Sequence, residues 1–330
     1  TEWLRWLGTH CGEGKVHVFR PEPEGTGWAG FGQSQQVPLK QLTDQLLKEG
    51  KADKADASSF VYGFDFRTRC DCADLLDEVQ ILPHFLADRL GTDPALPRTN
   101  WPALLVGPPG STSALHVDAK FLPFWLSLYS GRKTFRVVTL DDWREHLAGP
   151  GSLFAHDGTV QRPVDAFDDA EVERELLARG ATVYNISLQP GDTLYLPVGA
   201  LHGAFNAVGA GPAVALTANF LDADHGPVVD EEYCEEVPNA AQTDAVCNLL
   251  ARDPTLRSGQ VRLPPRPGKP QPFWQWHLSD AVRGGFCAKY GAREARCAGA
   301  AQRCEAAAEG DGMISAFRSA FAAQQTAPST

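Results

Sequence analysis

Eight short apolar runs between Trp101 and Leu221 constrain the fold of this chain more than any other feature. They are Ala103–Val106, Ala114–Val117, Phe124–Tyr129, Thr134–Val138, Thr182–Leu188, Thr193–Leu196, Gly203–Asn206 and Ala213–Phe220, with Gly and Pro turns between them. Short runs punctuated in this way read as many short strands. They predict an all-β barrel or jelly roll, mainly β, rather than βαβ units. A mixed insert at 141–181 interrupts the series, and Asp169–Ala178 within it reads as a surface helix. The 330 residues suffice for a sizeable core, and 43% hydrophobic with 22% charged residues is a globular composition. No stretch approaches the roughly 18 apolar residues of a membrane helix. A net charge of -11 disfavours nucleic acid and anionic membrane as partners.

The flanks differ from this centre. Residues 1–36 read as irregular. Pro38 then opens a helix with Leu39, Leu42, Leu46 and Leu47 on one face and Gly50 as its stop. Phe60–Phe64 reads as a short strand, and 73–90 as two short helices broken at Pro83. The strand pattern ends in an acidic run near 221–232, and residues 239–252 and 279–325 favour helix. The expected organisation is an N-terminal segment (1–100) packing on a core (101–221), then a mostly helical, Cys-rich region (222–330). Trp274 and Trp276 either pack that region onto the core or form a substrate surface. Of 8 cysteines, five lie beyond residue 230. An even count fits disulfides and an oxidising compartment, against a reading as buried free thiols. Cys70 and Cys72 are placed for two separate disulfides. Asn185-Ile186-Ser187 is a glycosylation sequon.

The chemistry concentrates on His116-Val117-Asp118. On a strand, residues two apart leave the same face, so both side chains can reach one ion. A third ligand must come from elsewhere, and His202 follows the turn-strand-turn segment Gly191–Gly199. Two imidazoles and one carboxylate form the facial triad of non-haem Fe(II) oxygenases, which leaves three coordination positions free. A cupin-like barrel holding zinc, manganese or no metal is the competing reading. Lys133 begins a strand, and an ammonium inside a barrel calls for an anion such as the distal carboxylate of 2-oxoglutarate. Thr217 and Asn219 share one face of their strand, which either lines a cavity or faces solvent.

These blocks together resemble the JmjC (jumonji C) family, specifically its small protein hydroxylases, over about residues 35–221. Gly107-Pro-Pro-Gly-Ser-Thr-Ser-Ala-Leu-His116-Val-Asp118 is similar to that family's first ligand strand. Phe124–Lys133 is similar to the strand pair carrying the cosubstrate lysine, Leu188–His202 to the distal-ligand segment, and Thr217–Phe220 to the closing strand. The resemblance implies a double-stranded β-helix (jelly roll, cupin-like) barrel with flanking helices. It implies Fe(II) on His116, Asp118 and His202, with 2-oxoglutarate and dioxygen as co-reactants. Lys133 and Tyr62 would meet the C5 carboxylate of 2-oxoglutarate, Ser113 and Thr217 would line that pocket, and Asn219 would lie near cosubstrate and iron. One position departs: related hydroxylases often carry an asparagine where this chain has Leu126.

The activity so implied is hydroxylation of a protein or peptide side chain, and the acidic surface favours a basic peptide. The alternatives are a catalytically idle scaffold working through its Cys-rich region, and a small-molecule hydroxylase. The C-terminal region reads either as a helical appendage stapled by disulfides or as a surface for self-association. The cysteines favour the secretory pathway, in the ER lumen or beyond it, over the cytoplasm.

Overall fold

The computed structural model describes residues 2–21, 29, 31–49, 62–79, 88–90, 102–149, 174, 176–237, 240, 244–257 and 274–277. The eight apolar runs are strands: β4 (Ala103–Gly107), β5 (Thr112–His116), β6 (Phe124–Ser130), β7 (Lys133–Val138), β8 (Tyr184–Leu188), β9 (Asp192–Leu196), β10 (Leu201–Asn206) and β11 (Ala213–Asn219). Before them come β1 (Lys15–Pro21), β2 (Phe31–Pro38) and β3 (Tyr62–Phe66), and after them β12 (Trp274–His277). Residues 1–36 are therefore not irregular throughout. Helix α1 (Glu2–His10) and the β1–β2 hairpin occupy much of that stretch.

The expected barrel is not formed. The strands make two antiparallel sheets, one of eight strands in the order β12-β9-β6-β11-β4-β3-β1-β2 and one of four in the order β5-β10-β7-β8. Both are open, and among the described residues no ladder joins an edge of one to an edge of the other. Closure needs paired edges and a consistent stagger. Here the short connections at 108–111, 117–123, 131–132, 189–191, 197–200 and 207–212 each carry the chain from one sheet to the other. The alternation of apolar and polar positions is the same in a barrel and in two facing sheets, so it could not distinguish them.

The two sheets face each other across a layer that includes Leu126, Leu128, Leu194 and Leu196 from one and Phe135, Val137, Ile186 and Leu188 from the other. Helices α1 and α2 (Leu39–Glu49) cover the outer side of the larger sheet. Leu4, Leu7, Leu39, Leu42 and Leu46 are buried in one cluster with Val16, Leu104 and Val106. Leu39 follows Pro38 as the leucine spacing predicts. On β4, Leu104 and Val106 join this cluster while Leu105 lines the space between the sheets.

Two disulfides fix the flanks. Cys11 at the end of α1 bonds Cys72 (Cα–Cα 5.2 Å), and Cys234 bonds Cys247 (Cα–Cα 5.6 Å). Cys70 is disulfide-bonded too, though not to Cys72, in accord with two separate bridges at this pair. These bonds are consistent with an oxidising environment. The cysteines at 287, 297 and 304, the helix expected at 279–325 and most of the 141–181 insert lie outside the described residues. The Cys11–Cys72 bond closes a separation of 61 residues, and loop-closure entropy gives it about 4 kcal/mol. Cys11→Ser with Cys72→Ser should therefore lower the unfolding midpoint by several degrees, read by thermal denaturation with and without reductant. No helix among the described residues is long and apolar enough to cross a membrane. Strand β12 extends the larger sheet by pairing with β9.

Candidate metal centre

Strand β10 organises the site. It pairs with β5 so that His202 is the register partner of His116, and with β7 so that Asn206 is the partner of Lys133. Four residues of strand, about 13 Å, therefore separate an imidazole end from an ammonium end. The cavity between the sheets joins the two. It is lined by Tyr62, Ser113, His116, Asp118, Lys133, His202, Thr217 and Asn219, with Phe124, Leu126 and Phe135 among its apolar walls. Its volume of about 50 Å³ is several times the ~10–15 Å³ that a single water needs.

At the first end His116, Asp118 and His202 are buried, and one ligand atom from each lies within 4.8 Å of the others. Nε2 of His116 is 3.7 Å from Oδ1 of Asp118, and the imidazole centroids are 4.4 Å apart. Nδ1 of His116 is 2.7 Å from the Ala114 carbonyl, and Nδ1 of His202 is 3.0 Å from the Ala200 carbonyl. A carbonyl only accepts, so Nδ1 carries the proton in both rings and Nε2 presents its lone pair, the tautomer that metal ligation requires. Burial, reinforced by the neighbouring imidazole of His202, holds His116 well below the usual imidazole pKa, so it stays neutral. Burial raises the pKa of Asp118, opposed by His202 and by a hydrogen bond from Asn219.

Asn219 donates from Nδ2 to Oδ2 of Asp118 at 2.6 Å and to the Leu122 carbonyl at 3.4 Å. Sequence reasoning placed Asn219 near the cosubstrate and iron without assigning a partner that orients Asp118, and Asn219 supplies it. The Phe124 ring stacks on His202 at 5.5 Å. This 2-His-1-carboxylate arrangement suits a divalent first-row metal such as Fe(II), since two neutral nitrogens and one carboxylate converge with no competing cation among them.

At the second end Lys133 is 4% exposed. Its ammonium donates to Oδ1 of Asn206 at 3.1 Å and to the Tyr62 hydroxyl at 3.4 Å, and it lies 5.4 Å from the centroid of the Tyr62 ring. These hydrogen-bond acceptors are neutral. Burial lowers the Lys133 pKa from 10.5 to about 7 and pushes the Tyr62 phenol up, so Tyr62 remains a proton donor. Asn206 is in turn fixed by Ser111: its Nδ2 donates to Ser111 Oγ at 2.8 Å, and Ser111 donates to the Pro108 carbonyl at 2.7 Å. Neither residue stood out in the sequence. The available signal was the position of Asn206 at the end of a strand.

The remaining sequence candidates converge on the same cavity. Ser113 Oγ accepts from the Ala204 amide at 3.1 Å, and Thr217 donates to the Trp125 carbonyl at 2.6 Å. Thr217 and Asn219 thus line a cavity instead of facing solvent. Leu126 is fully buried in the cavity wall. Trp101 lies outside the described residues.

The lysine end depends on a bare backbone at Gly107. A Cβ there would sit 2.5 Å from Asn206 Nδ2 and 2.8 Å from the Tyr62 ring. Gly107→Ala should displace both groups and lower the unfolding midpoint while leaving metal affinity unchanged, which thermal unfolding and a metal titration would check.

No family of known proteins matches this chain, and no curated protein matches it.

Proposed function

We propose that the chain is an Fe(II)- and 2-oxoglutarate-dependent oxygenase of the jumonji type that hydroxylates a protein or peptide side chain. One observation carries this reading. A buried 2-His-1-carboxylate set and a buried lysine whose hydrogen-bond partners among the described residues are all neutral occupy opposite ends of one cavity. A buried charge needs a counter-charge, and a diacid reaching from the metal to Lys133 would supply it. His116, Asp118 and His202 would ligate Fe(II). When bound, Fe(II) with 2-oxoglutarate and dioxygen supplies the oxidising chemistry, with succinate and carbon dioxide as co-products.

The chain's own residues supply orientation. Lys133 and Tyr62 would hold the C5 carboxylate by a charge-assisted and a neutral hydrogen bond. Ser113, Thr217 and Asn219 would furnish the polar part of an otherwise apolar wall. Phe124, Leu126 and Phe135 would help to exclude water from it. The net charge of -11 supports a basic peptide as substrate, and the disulfides support the secretory pathway as its place of action.

The test is conversion of 2-oxoglutarate to succinate by the purified chain with Fe(II) and dioxygen, followed by a peptide-library screen for a gain of one oxygen atom. Turnover that requires Fe(II) is the expected result. A protein that binds Fe(II) and 2-oxoglutarate yet forms no succinate would sink the enzymatic reading and leave a binding module.

A further inference from the structure

The segment after Asp118 holds a backbone that its own residues disfavour. Lys120 has φ 61° and Phe121 has φ 55°, left-handed values that non-glycine residues keep only where the surroundings impose them. The turn closes by hydrogen bonds from the Phe121 amide to the Asp118 carbonyl (3.1 Å) and from the Leu122 amide to the Ala119 carbonyl (3.3 Å). Local preference does not account for it, since glycine or asparagine usually occupies the left-handed position of such a turn.

Tertiary contacts impose it. The Lys120 ammonium lies 2.6 Å from the Asp244 carboxylate, with side chains 17% and 14% exposed. The Phe121 ring is 2% exposed and packs on Trp143 (6.1 Å) and Tyr233 (5.8 Å), with the Arg144 guanidinium 5.4 Å from its centre. The Phe121 carbonyl accepts from the Gly199 amide at 2.8 Å, and the Gly199 carbonyl accepts from the Trp143 indole at 2.8 Å. Gly199 belongs to the connection that leads into β10 and His202. One turn therefore braces the segments bearing Asp118 and His202 together.

The outer anchor of this brace lies beyond the strands. Asp244 also accepts from the Val246 amide at 2.7 Å, capping the helix Ala245–Arg252, and from the Tyr233 hydroxyl at 3.4 Å. The Cys234–Cys247 disulfide joins the turn that bears Tyr233 to that helix. None of these residues lines the cavity. A partly buried ion pair contributes little net stability, because desolvation offsets its attraction. What it does contribute is a fixed geometry.

We infer that Lys120 and Asp244 are positioning residues for the metal centre: their ion pair locks the 119–122 turn, so that Asp118 and His202 meet the metal in one arrangement. The inference rests on the metal-site reading above. Its test is titration of the full chain with Co(II), alongside thermal unfolding without metal. Lys120→Met and Asp244→Asn are the informative variants, since asparagine still caps the helix. Each is expected to bind Co(II) about 10–100-fold more weakly, the range for groups that orient metal ligands. The double variant should be no weaker than the singles. Arg257→Met, which removes the exposed pair with Asp230 in the same C-terminal unit, should bind as the wild type does. Wild-type affinity in Asp244→Asn or Lys120→Met, even with a lower unfolding midpoint, would reduce the pair to a structural contact and overturn the inference. Failure of the wild type itself to bind Co(II) would instead overturn the metal-site reading.

Discussion

Lys133→Met should weaken 2-oxoglutarate binding by about 100-fold or more while leaving metal affinity intact. Removing one partner of a buried charge pair costs about 3–5 kcal/mol, and each ~1.4 kcal/mol is a factor of ten. Methionine keeps the length and apolar bulk of the stem, so the cavity wall survives. The pH profile gives a second signature. Burial sets the Lys133 pKa at about 7 in the ligand-free protein. Above that pH the amine is neutral, and a dianion must recruit a proton on binding. Affinity should then fall about tenfold per pH unit above about 7, and this slope should vanish in Lys133→Met. Stability has the opposite slope. The folded pKa lies below the unfolded value of 10.5, so between about 7 and 10.5 the unfolded chain binds the extra proton. The ligand-free protein should gain stability as pH rises through that window, and the methionine variant should lack the gain. Calorimetric titrations with 2-oxoglutarate across this range would decide it; a pH-independent affinity would place the anion elsewhere.

Asp118→Ala should abolish Fe(II)-dependent succinate formation and weaken metal binding by more than the roughly 100-fold upper bound for outer groups. It removes the one carboxylate of the set and leaves two neutral imidazoles facing a dication. Without metal the same change should not cost thermal stability, because Asp118 is a buried acid whose pKa burial has raised. A variant that unfolds early but binds metal normally would make Asp118 a structural residue. Asn219→Ala should give a smaller loss, about 10–100-fold in metal affinity, because it frees the Asp118 carboxylate without removing it.

How much of this was legible in the sequence follows from what periodicity encodes. His116 and Asp118 were readable as a pair because strand residues two apart share a face. His202 was readable as their partner because it follows a turn-strand-turn segment that had to return to the same place. Lys133 was readable because an ammonium at the head of an apolar strand needs a reason to be there. The register that seats His202 beside His116 and Asn206 beside Lys133 was not readable, since pairing across strands leaves no local mark. For the same reason the barrel expectation failed: edges that stay open look like any other strand in one dimension. The hydrogen bond from Asn219 to Asp118 and the left-handed turn at Lys120 and Phe121 are products of tertiary contact. Lysine and phenylalanine give no hint of positive φ.

The alternation of the chain between the two sheets has a consequence for assembly. Among the described residues most ladders join strands that are not neighbours in sequence: β10 finds β5 across the insert, and β11 finds β4 from the far end of the core. Loop closure over such separations is slow, and topologies dominated by non-local pairing fold on the millisecond-to-second scale. The imidazoles of His116 and His202 become neighbours only when the β5–β10 ladder zips, so a nascent or half-folded chain offers no complete ligand set. A metal ion held by this ligand set would therefore be bound after folding and not before it.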